Sequence, residues 1–247
     1  MKKAAIVFLI TSVLISTTRA QTPPTGEEIL RRVDANIGSD NKISTAEMII
    51  HGRRGSRTIK SKSWIHGENK SFTEYLAPAR EAGTKMLKLE DQLWTYIPAT
   101  DRTIKISGHM LRQSVMGSDL SYEDMMEDPE LLNLYEASVI EEETVLDRPC
   151  WVLELTAKVE DVAYHSRKIW VDKERFVSLK EERFARSGKL LKIFEVKEVK
   201  HIQNRWVPVH MVFKDALKSG MGTEFKLESI EFNASIPDHI FTKASLR

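Results

Sequence analysis

The stretch that decides the fold is residues 108–127, GHMLRQSVMGSDLSYEDMME. It follows a series of segments in which apolar and polar residues alternate, and it breaks that alternation, so it is not expected to form a strand. Gly117, Ser118 and Asp119 predict a turn. Ser121 and Asp124 have the spacing of a helix capping box, although aspartate replaces the usual glutamate or glutamine. Residues 108–127 are therefore predicted to form a flap, a short helical lid that lies against a sheet.

The flap is rich in flexible apolar side chains. Thioether side chains adapt to irregular apolar surfaces, so they suit contact with varied apolar ligands. The same composition also suits a segment that only seals the edge of a core, and the sequence does not separate the two interpretations. The candidate ligand-binding or lid residues are Met110, Leu111, Val115, Met116, Leu120, Tyr122, Met125 and Met126.

The rest of the chain is mostly strand-like. Short segments recur from Ile43–Ile50 to Thr223–Phe232, with glycine or proline between them. Several alternate cleanly, which is typical of antiparallel sheets with one buried face. In Thr223–Phe232 the apolar phase switches near Ser229, which predicts a bulge where the sheet curves. Many twisted antiparallel strands in succession curl up, so a half-open antiparallel β-barrel is expected, in a mainly β (α+β) fold.

Helices are few. Thr25 and Glu28 form a capping box for an N-terminal helix that Gly38 ends. Its apolar residues, Ile29, Leu30, Val33 and Ile37, fall on one face and must pack on the sheet. Asp128 and Pro129 are predicted to open a short helix after the flap. Together with the flap helix, these elements are expected to cover an apolar cavity on the open side of the barrel.

The first twenty residues read as a cleavable signal peptide. Lys2 and Lys3 precede an apolar run that is too short to span a bilayer, and cleavage is expected after Ala20. The mature chain, residues 21–247, is expected to be a single domain in a bacterial periplasm. The signal holds three positive charges, so the net charge falls from +1 to 1 − 3 = −2, which argues against nucleic-acid binding. Cys150 is the only cysteine, and it is interpreted as a buried packing residue.

Motifs for chemistry are missing from the sequence. The scattered histidines lack metal-ligand spacing, and neither a nucleophile elbow nor a phosphate-binding glycine loop is present. The acids that follow Asp119 are interpreted as helix-start residues that complement the helix dipole, in preference to a calcium site. No catalytic residue, metal or cofactor is therefore predicted. A lipid hydrolase that uses Ser118 or Ser121 is the least favoured alternative.

Four stretches resemble the LolA-like family of outer-membrane lipoprotein-sorting proteins. The most specific is Met116–Met125, and the others are Tyr75–Pro78 with Gly83, Trp94–Pro98 with Arg102 and Ile104, and Ile236–Thr242. The resemblance implies a half-open barrel around an apolar cavity that carries lipoprotein acyl chains or other lipids. It also implies an inner-membrane partner of the resistance-nodulation (RND) transporter type. The best-studied carrier of the family holds its lid through hydrogen bonds from an arginine, and the motifs do not place that arginine in this sequence.

The leading hypothesis is therefore a periplasmic carrier that transfers lipid toward the outer membrane. Each buried methylene is worth ~0.8 kcal/mol, so exposing a chain of about sixteen carbons costs on the order of 12 kcal/mol, and a shuttle must hide it. A carrier also has to release its cargo, so mainly aliphatic contacts and few buried hydrogen bonds are expected in the cavity. A monomer with transient membrane contact is expected. The alternative is a sensory module of the same shape that reports misplaced lipoproteins.

Overall fold

The computed structural model describes residues 23–52, 55–127 and 130–247. The predicted signal peptide, its cleavage after Ala20 and the helix start at Asp128 and Pro129 lie outside the described residues. The described part forms a sheet of 13 strands. The strands are β1 Asn41–Gly52, β2 Gly55–His66, β3 Lys70–Ala77, β4 Lys85–Leu89, β5 Gln92–Ile97, β6 Arg102–Ile106, β7 Tyr135–Val145, β8 Arg148–Ala157, β9 Ser166–Asp172, β10 Ser178–Phe184, β11 Leu190–Ile202, β12 Arg205–Asp215 and β13 Thr223–Phe232.

The order of the strands explains where the flap lies. The sheet runs β6-β5-β4-β3-β2-β1-β13-β12-β11-β10-β9-β8-β7, and the neighbours are antiparallel. The two edge strands, β6 and β7, are consecutive in sequence. The segment that joins them must therefore cross the open side of the curled sheet. The prediction of a half-open antiparallel β-barrel is confirmed.

The predicted bulge is present. Thr45 of β1 pairs with Ser229 of β13, but the next residue, Ala46, pairs with Leu227, so Glu228 is the extra residue. The insertion explains why the apolar phase of β13 switches at this point. It lies where β1 joins the two meanders, β2–β6 and β7–β13, into one sheet.

The N-terminal helix, α1 (Gly26–Ile37), covers part of the sheet. Thr25 and Glu28 form the predicted capping box, and Ile29 and Leu30 are fully buried. These two side chains pack with Tyr135, Leu153, Leu155, Ile169 and Val171. A Cβ atom at Gly26 would lie 2.5 Å from the carbonyl oxygen of Ala137, so the start of the helix rests directly on the backbone of β7.

Strand β8 is buried on both faces. Leu153 and Leu155 face α1, and Cys150 and Val152 on the opposite face are buried as well. They pack with Trp170, Val177 and Leu179 in a separate cluster, so this part of the sheet has apolar cover on both faces. Cys150 is a free thiol, and its burial raises its pKa to about 11, so it stays protonated at neutral pH.

Two short helices follow the flap turns. These are α2 (Tyr122–Met126) and α3 (Leu131–Leu134). The C-terminal tail forms two short 3-10 turns, Asp238–Phe241 and Lys243–Leu246, whose Phe241 and Leu246 pack against Phe72, Leu87 and Trp94. Within the described ranges, the helices are all too short or too polar to span a membrane.

Candidate functional site

The flap begins with two 3-10 turns, Gly108–Arg112 and Val115–Gly117. Met116 has a φ of 52°, a left-handed conformation that costs a non-glycine residue free energy, and Gly117 follows with a φ of 75°. The carbonyl oxygen of Met116 accepts a hydrogen bond from Arg57 of β2. Arg57 also pairs with Glu81 at 3.0 Å. The kink at Met116 is thus fixed from the sheet side by an arginine.

The apolar side chains of the flap meet one core cluster. Val115 is buried in it. Met48, Ile59, Tyr75, Met86, Leu93 and Ile106 form the sheet side of the cluster, and Met110, Leu111, Met116, Tyr122, Met125 and Met126 pack against it from the flap. Leu120 of the candidate set instead lines the cavity beside this cluster. The structure therefore brings the whole predicted set to the contact between flap and sheet.

Between flap and sheet lies a cavity of about 190 Å³. Three flap residues line it, Val115, Leu120 and Met125. From the sheet it is lined by Ala46, Met48, Ser61, Ser63, Thr73, Tyr75 and Phe225. The other flap residues of the candidate set contact the surrounding cluster without lining the cavity.

A second cavity, of about 180 Å³, lies under α1. Its apolar lining includes Leu30 and Val33 from α1 and Ile169, Phe194 and Trp206 from the sheet, and Glu181 also reaches it. The pattern of the helix predicts that α1 covers the sheet, but not that space remains beneath it. The hollow of the half-barrel is thus present as two small chambers.

A buried cluster of charges adjoins the chamber under α1. Arg167 of β9 is 1% exposed and forms ion pairs with Glu181 of β10, at 2.8 Å, and with Glu127 at the end of the flap. Its guanidinium also donates to the hydroxyl of Tyr135 at 3.2 Å. Glu181 lines the chamber under α1. Charged residues at inward-facing strand positions therefore pair with one another beside this chamber, and the expectation of few buried hydrogen bonds to the cargo stays a prediction.

A second arginine completes this cluster. Arg183 of β10 pairs with Asp124 of α2 at 3.4 Å, with Glu127 at 3.2 Å and with Glu181 at 3.1 Å. Asp124 also accepts a hydrogen bond from the hydroxyl of Tyr164. The flap is consequently tied to β9 and β10 by two carboxylates on two arginines. We call Arg167, Arg183, Glu181, Asp124 and Glu127 the arginine cluster.

Neighbouring charges and hydrogen bonds in the cluster shift the pKa values of its carboxylates. Burial alone would raise the pKa of Glu181, but Arg183 and Arg167 lower it below its usual value. Burial likewise opposes ionisation of Asp124, and hydrogen bonds from Tyr164 and Ser121 together with the charge of Arg183 lower its pKa. Burial lowers the pKa of Arg167 to about 10, which leaves it charged at neutral pH. The charged forms of Glu181, Asp124 and Arg167 are therefore favoured in the folded protein at neutral pH.

The middle of the flap is tied to the other side of the sheet. Asp119 accepts a hydrogen bond from the hydroxyl of Thr223 of β13 at 2.7 Å and one from the backbone N–H of Asp215 at 3.1 Å. Lys192 of β11 donates to the carbonyl oxygen of Asp119 at 2.5 Å. Lys218 donates to the carbonyl oxygen of Ser118 at 3.2 Å. The flap is thus anchored through polar contacts on both sides of its apolar face.

The sequence located the flap but not its anchors. The interpretation of the flap acids as helix-start residues holds for Asp124, whose carboxylate completes the capping box with Ser121. It misses the ion pairs that Asp124 and Glu127 make with β9 and β10. One signal could have found the arginines, because Arg167 shares its alternation phase with the buried residues Ile169 and Val171.

The two serines of the hydrolase alternative serve the local structure. The hydroxyl of Ser118 contacts the backbone of Leu120, and that of Ser121 donates to Asp124 at 2.7 Å. Both side chains are nearly or fully buried. Their hydrogen bonds account for their presence in the flap as turn and cap residues.

Comparison with known proteins gives consistent matches to one fold. A family model described as that of an uncharacterized protein matches residues 67–247. No curated protein matches the chain. A putative outer membrane lipoprotein-sorting protein domain from Vibrio parahaemolyticus is 26% identical, with 90% of this chain and 97% of that chain covered and a TM-score of 0.76.

Two further solved structures share the fold. A DUF1329 family protein from Desulfovibrio piger has a TM-score of 0.81 at 24% identity, with 90% of this chain and 98% of that chain covered. A LolA superfamily protein from Nitrosomonas europaea has a TM-score of 0.75 at 24% identity, with 90% of this chain and 100% of that chain covered. The overall fold is therefore common to this chain and all three structures.

Proposed function

Because the chain belongs to the LolA-like family of outer-membrane lipoprotein-sorting proteins, we propose that it is a periplasmic carrier that shelters acyl chains in the hollow of its half-barrel. The strongest support for the proposal is the position and composition of the flap. It joins the two edge strands, covers apolar cavity walls and presents an apolar face to them. Such a cover hides a hydrocarbon chain from water when closed and gives access when it moves.

The size of the chambers requires that movement. A cavity of about 150 Å³ holds a molecule the size of benzene, and the two chambers measure about 190 and 180 Å³. Each holds only part of a long acyl chain. Displacing the flap, α1 or both would enlarge the space between sheet and cover, and the closed structure then corresponds to the state without cargo.

In this proposal the binding surface consists of apolar side chains, whose van der Waals contacts with the cargo are non-directional. Val115, Leu120 and Met125 contact the chain first, because they line the flap-side chamber. Met110, Leu111, Met116, Tyr122 and Met126 contact it as the flap moves. Contacts of this kind suit a carrier, since release then breaks no hydrogen bonds with the hydrocarbon.

The flap contacts also set the work of opening. Moving α2 separates Glu127 from Arg167 and Asp124 from Arg183, which exposes charges that the closed state pairs. A buried charge left alone is costly, so the carrier opens only when something compensates it. Cargo or a membrane partner would supply that compensation. An inner-membrane transporter of the RND type, transient membrane contact and a monomeric state remain part of the proposal on the strength of the motif resemblance.

Lipid analysis of the protein from its own host tests the proposal. The mature protein is purified without detergent, and the bound molecules are extracted and identified by mass spectrometry. We expect acyl-bearing molecules in stoichiometric amounts, and displacement of a fluorescent sixteen-carbon probe by them. A protein that arrives empty and also fails to bind the probe would refute the carrier function. Crosslinking in the periplasm then separates carriage from sensing, since a transporter partner supports carriage and a signalling partner supports the sensory alternative.

A further inference from the structure

The distribution of charge in the arginine cluster indicates which chemical group the cargo bears. Its charges are divided between two bodies: Arg167, Arg183 and Glu181 belong to the sheet, and Asp124 and Glu127 belong to the flap. With the flap closed the five charges sum to 2 − 3 = −1. With the flap displaced, the sheet retains 2 − 1 = +1. The open hollow is therefore left with an excess of positive charge beside its apolar walls.

One donor in the cluster has no partner even when the flap is closed. The Nε–H of Arg167 is buried and makes no hydrogen bond within the part of the chain that the structure describes. An unsatisfied buried donor costs about 1–3 kcal/mol, more when it is charged. The guanidinium already contacts Glu181, Glu127 and Tyr135 through its other nitrogens. The site thus has an unused donor on the most deeply buried arginine of the cluster.

The position of the cluster matches the end of an acyl chain. Glu181 lines the chamber under α1, and Asp124 is adjacent to Met125, which lines the chamber under the flap. A hydrocarbon chain in the chamber under α1 can place its polar end beside Glu181, which pairs with both Arg167 and Arg183. Guanidinium groups bind planar carboxylates and phosphates through paired hydrogen bonds.

On the premise of the proposed carrier function, we propose that the cargo bears an anionic group, a carboxylate or a phosphate, next to its acyl chain. This group takes the place of the Asp124 and Glu127 carboxylates on Arg167 and Arg183 when the flap is displaced. The flap carboxylates therefore occupy the anion site in the empty protein. A neutral amphiphile leaves the excess positive charge of the two arginines, which Glu181 balances only in part, uncompensated in an apolar site, and it binds more weakly for that reason.

Matched ligands that differ only at the head group test this inference. Hexadecanoic acid and hexadecyl phosphate are compared with the neutral hexadecanol and hexadecanamide, below their aggregation concentrations, by displacement of a fluorescent acyl probe from the mature wild-type protein. We expect the anionic ligands to bind at least about tenfold more tightly, a difference of about 1.4 kcal/mol. The ratio between the two anionic ligands identifies carboxylate or phosphate as the preferred group.

Two variants separate an anion site from a purely structural cluster. Arg183→Gln should remove most of the preference for anionic ligands over hexadecanol. Glu127→Gln should strengthen binding of anionic ligands several-fold more than binding of neutral ligands, because it removes a competing carboxylate from the anion site in addition to ion pairs that hold the flap. Arg186→Gln is the control, since this arginine is exposed and pairs only at the surface. Glu127→Gln keeps the test informative if Arg183→Gln does not fold.

The outcomes for the two proposals differ. Equal binding of anionic and neutral ligands by the wild-type protein, or a Glu127→Gln gain that is no larger for anionic than for neutral ligands, would overturn the anionic cargo and leave the carrier function intact. Failure to bind any of the four ligands would count against the carrier function itself. A preference for anionic ligands that survives Arg183→Gln unchanged would also overturn the assignment of the site.

Discussion

The hydroxyl of Thr223, a fully buried residue at the start of β13, donates a hydrogen bond of 2.7 Å to the carboxylate of Asp119 in the flap. The backbone N–H of Asp119 in turn donates to the same hydroxyl oxygen at 3.0 Å. The two residues are 104 positions apart in the sequence. This reciprocal contact fixes the flap on one side, and the arginine cluster fixes it on the other.

Loss of the Thr223 hydroxyl should loosen the flap. Thr223→Val keeps the shape of the side chain but leaves Asp119 without two of its hydrogen bonds, so we expect a loss of about 1–3 kcal/mol in the free energy of unfolding. Hydrogen exchange should speed up in residues 115–121 and stay unchanged in β8 and β9. Thr58→Val, at an exposed position of β2, is the control. Unchanged exchange in the flap would show that this contact does not hold it.

Removal of the buried Arg167 should lower the free energy of unfolding more than removal of a surface arginine does. Arg167→Met removes one of the two arginines that Glu127 and Glu181 share in a buried site, and breaking a buried ion pair typically costs about 3–5 kcal/mol. Urea unfolding measures the loss, and Arg186→Met at the surface should change the free energy of unfolding by less than about 0.5 kcal/mol. Similar effects of the two variants would mean that the buried ion pairs contribute little to stability.

Charge introduced on the apolar face of the flap should affect binding more than folding. Met116→Asp and Met125→Asp are expected to weaken binding of a fluorescent acyl probe at least about tenfold, because an unpaired carboxylate faces the chain. The melting temperature should fall only modestly. Met221→Asp is the matched control, since Met221 is 71% exposed. Parallel losses of affinity and stability would assign both methionines to ordinary core packing.

Acid should destabilise the closed protein through the arginine cluster. The pKa values of Asp124 and Glu181 are lowered from 3.8 and 4.5 in the folded state. As pH falls, the unfolded chain binds these protons first, so their contribution to stability is complete above about pH 4.5 and is lost as pH falls through the lower folded-state values. Urea unfolding between pH 7 and pH 3 should show this loss.

The Asp124→Asn variant provides the comparison for that measurement. It lacks one of the two shifted carboxylates, so its stability should be lower than that of the wild type at pH 7 and should decline less on acidification. The two curves should converge at low pH, where the wild-type carboxylate is also protonated. Parallel curves would show that Asp124 has the same pKa in the folded and unfolded states.

Much of the fold could be predicted because its causes are local. The capping box of Thr25 and Glu28 is a short-range hydrogen-bonding pattern, and the alternation of apolar and polar residues in a strand such as β12, where Val207 and Val209 are buried, reports which face of the strand is buried. The phase switch in β13 revealed an inserted residue without any knowledge of its partner strand. The flap was visible because an irregular apolar stretch interrupted this alternation, and its apolar residues do meet the sheet.

The anchors of the flap depended on contacts between distant parts of the chain. Asp124 and Glu127 have the composition of a helix start, and nothing near them in sequence indicates that Arg167 and Arg183 will face them. The pairing of β1 with β13 brings the two meanders into one curved sheet, and only that curvature sets the arginines opposite the flap.

The sequence by itself thus determined a curled antiparallel sheet, a capped N-terminal helix and a flap, because periodicity and capping act over a few residues. The tertiary structure alone decided that the hollow is two chambers with a buried ionic cluster beside the one under α1. The physical reason is that burial of a charge depends on which partners reach it. Those partners, Glu127 for Arg167 and Asp124 for Arg183, are brought together only when the chain closes over the sheet.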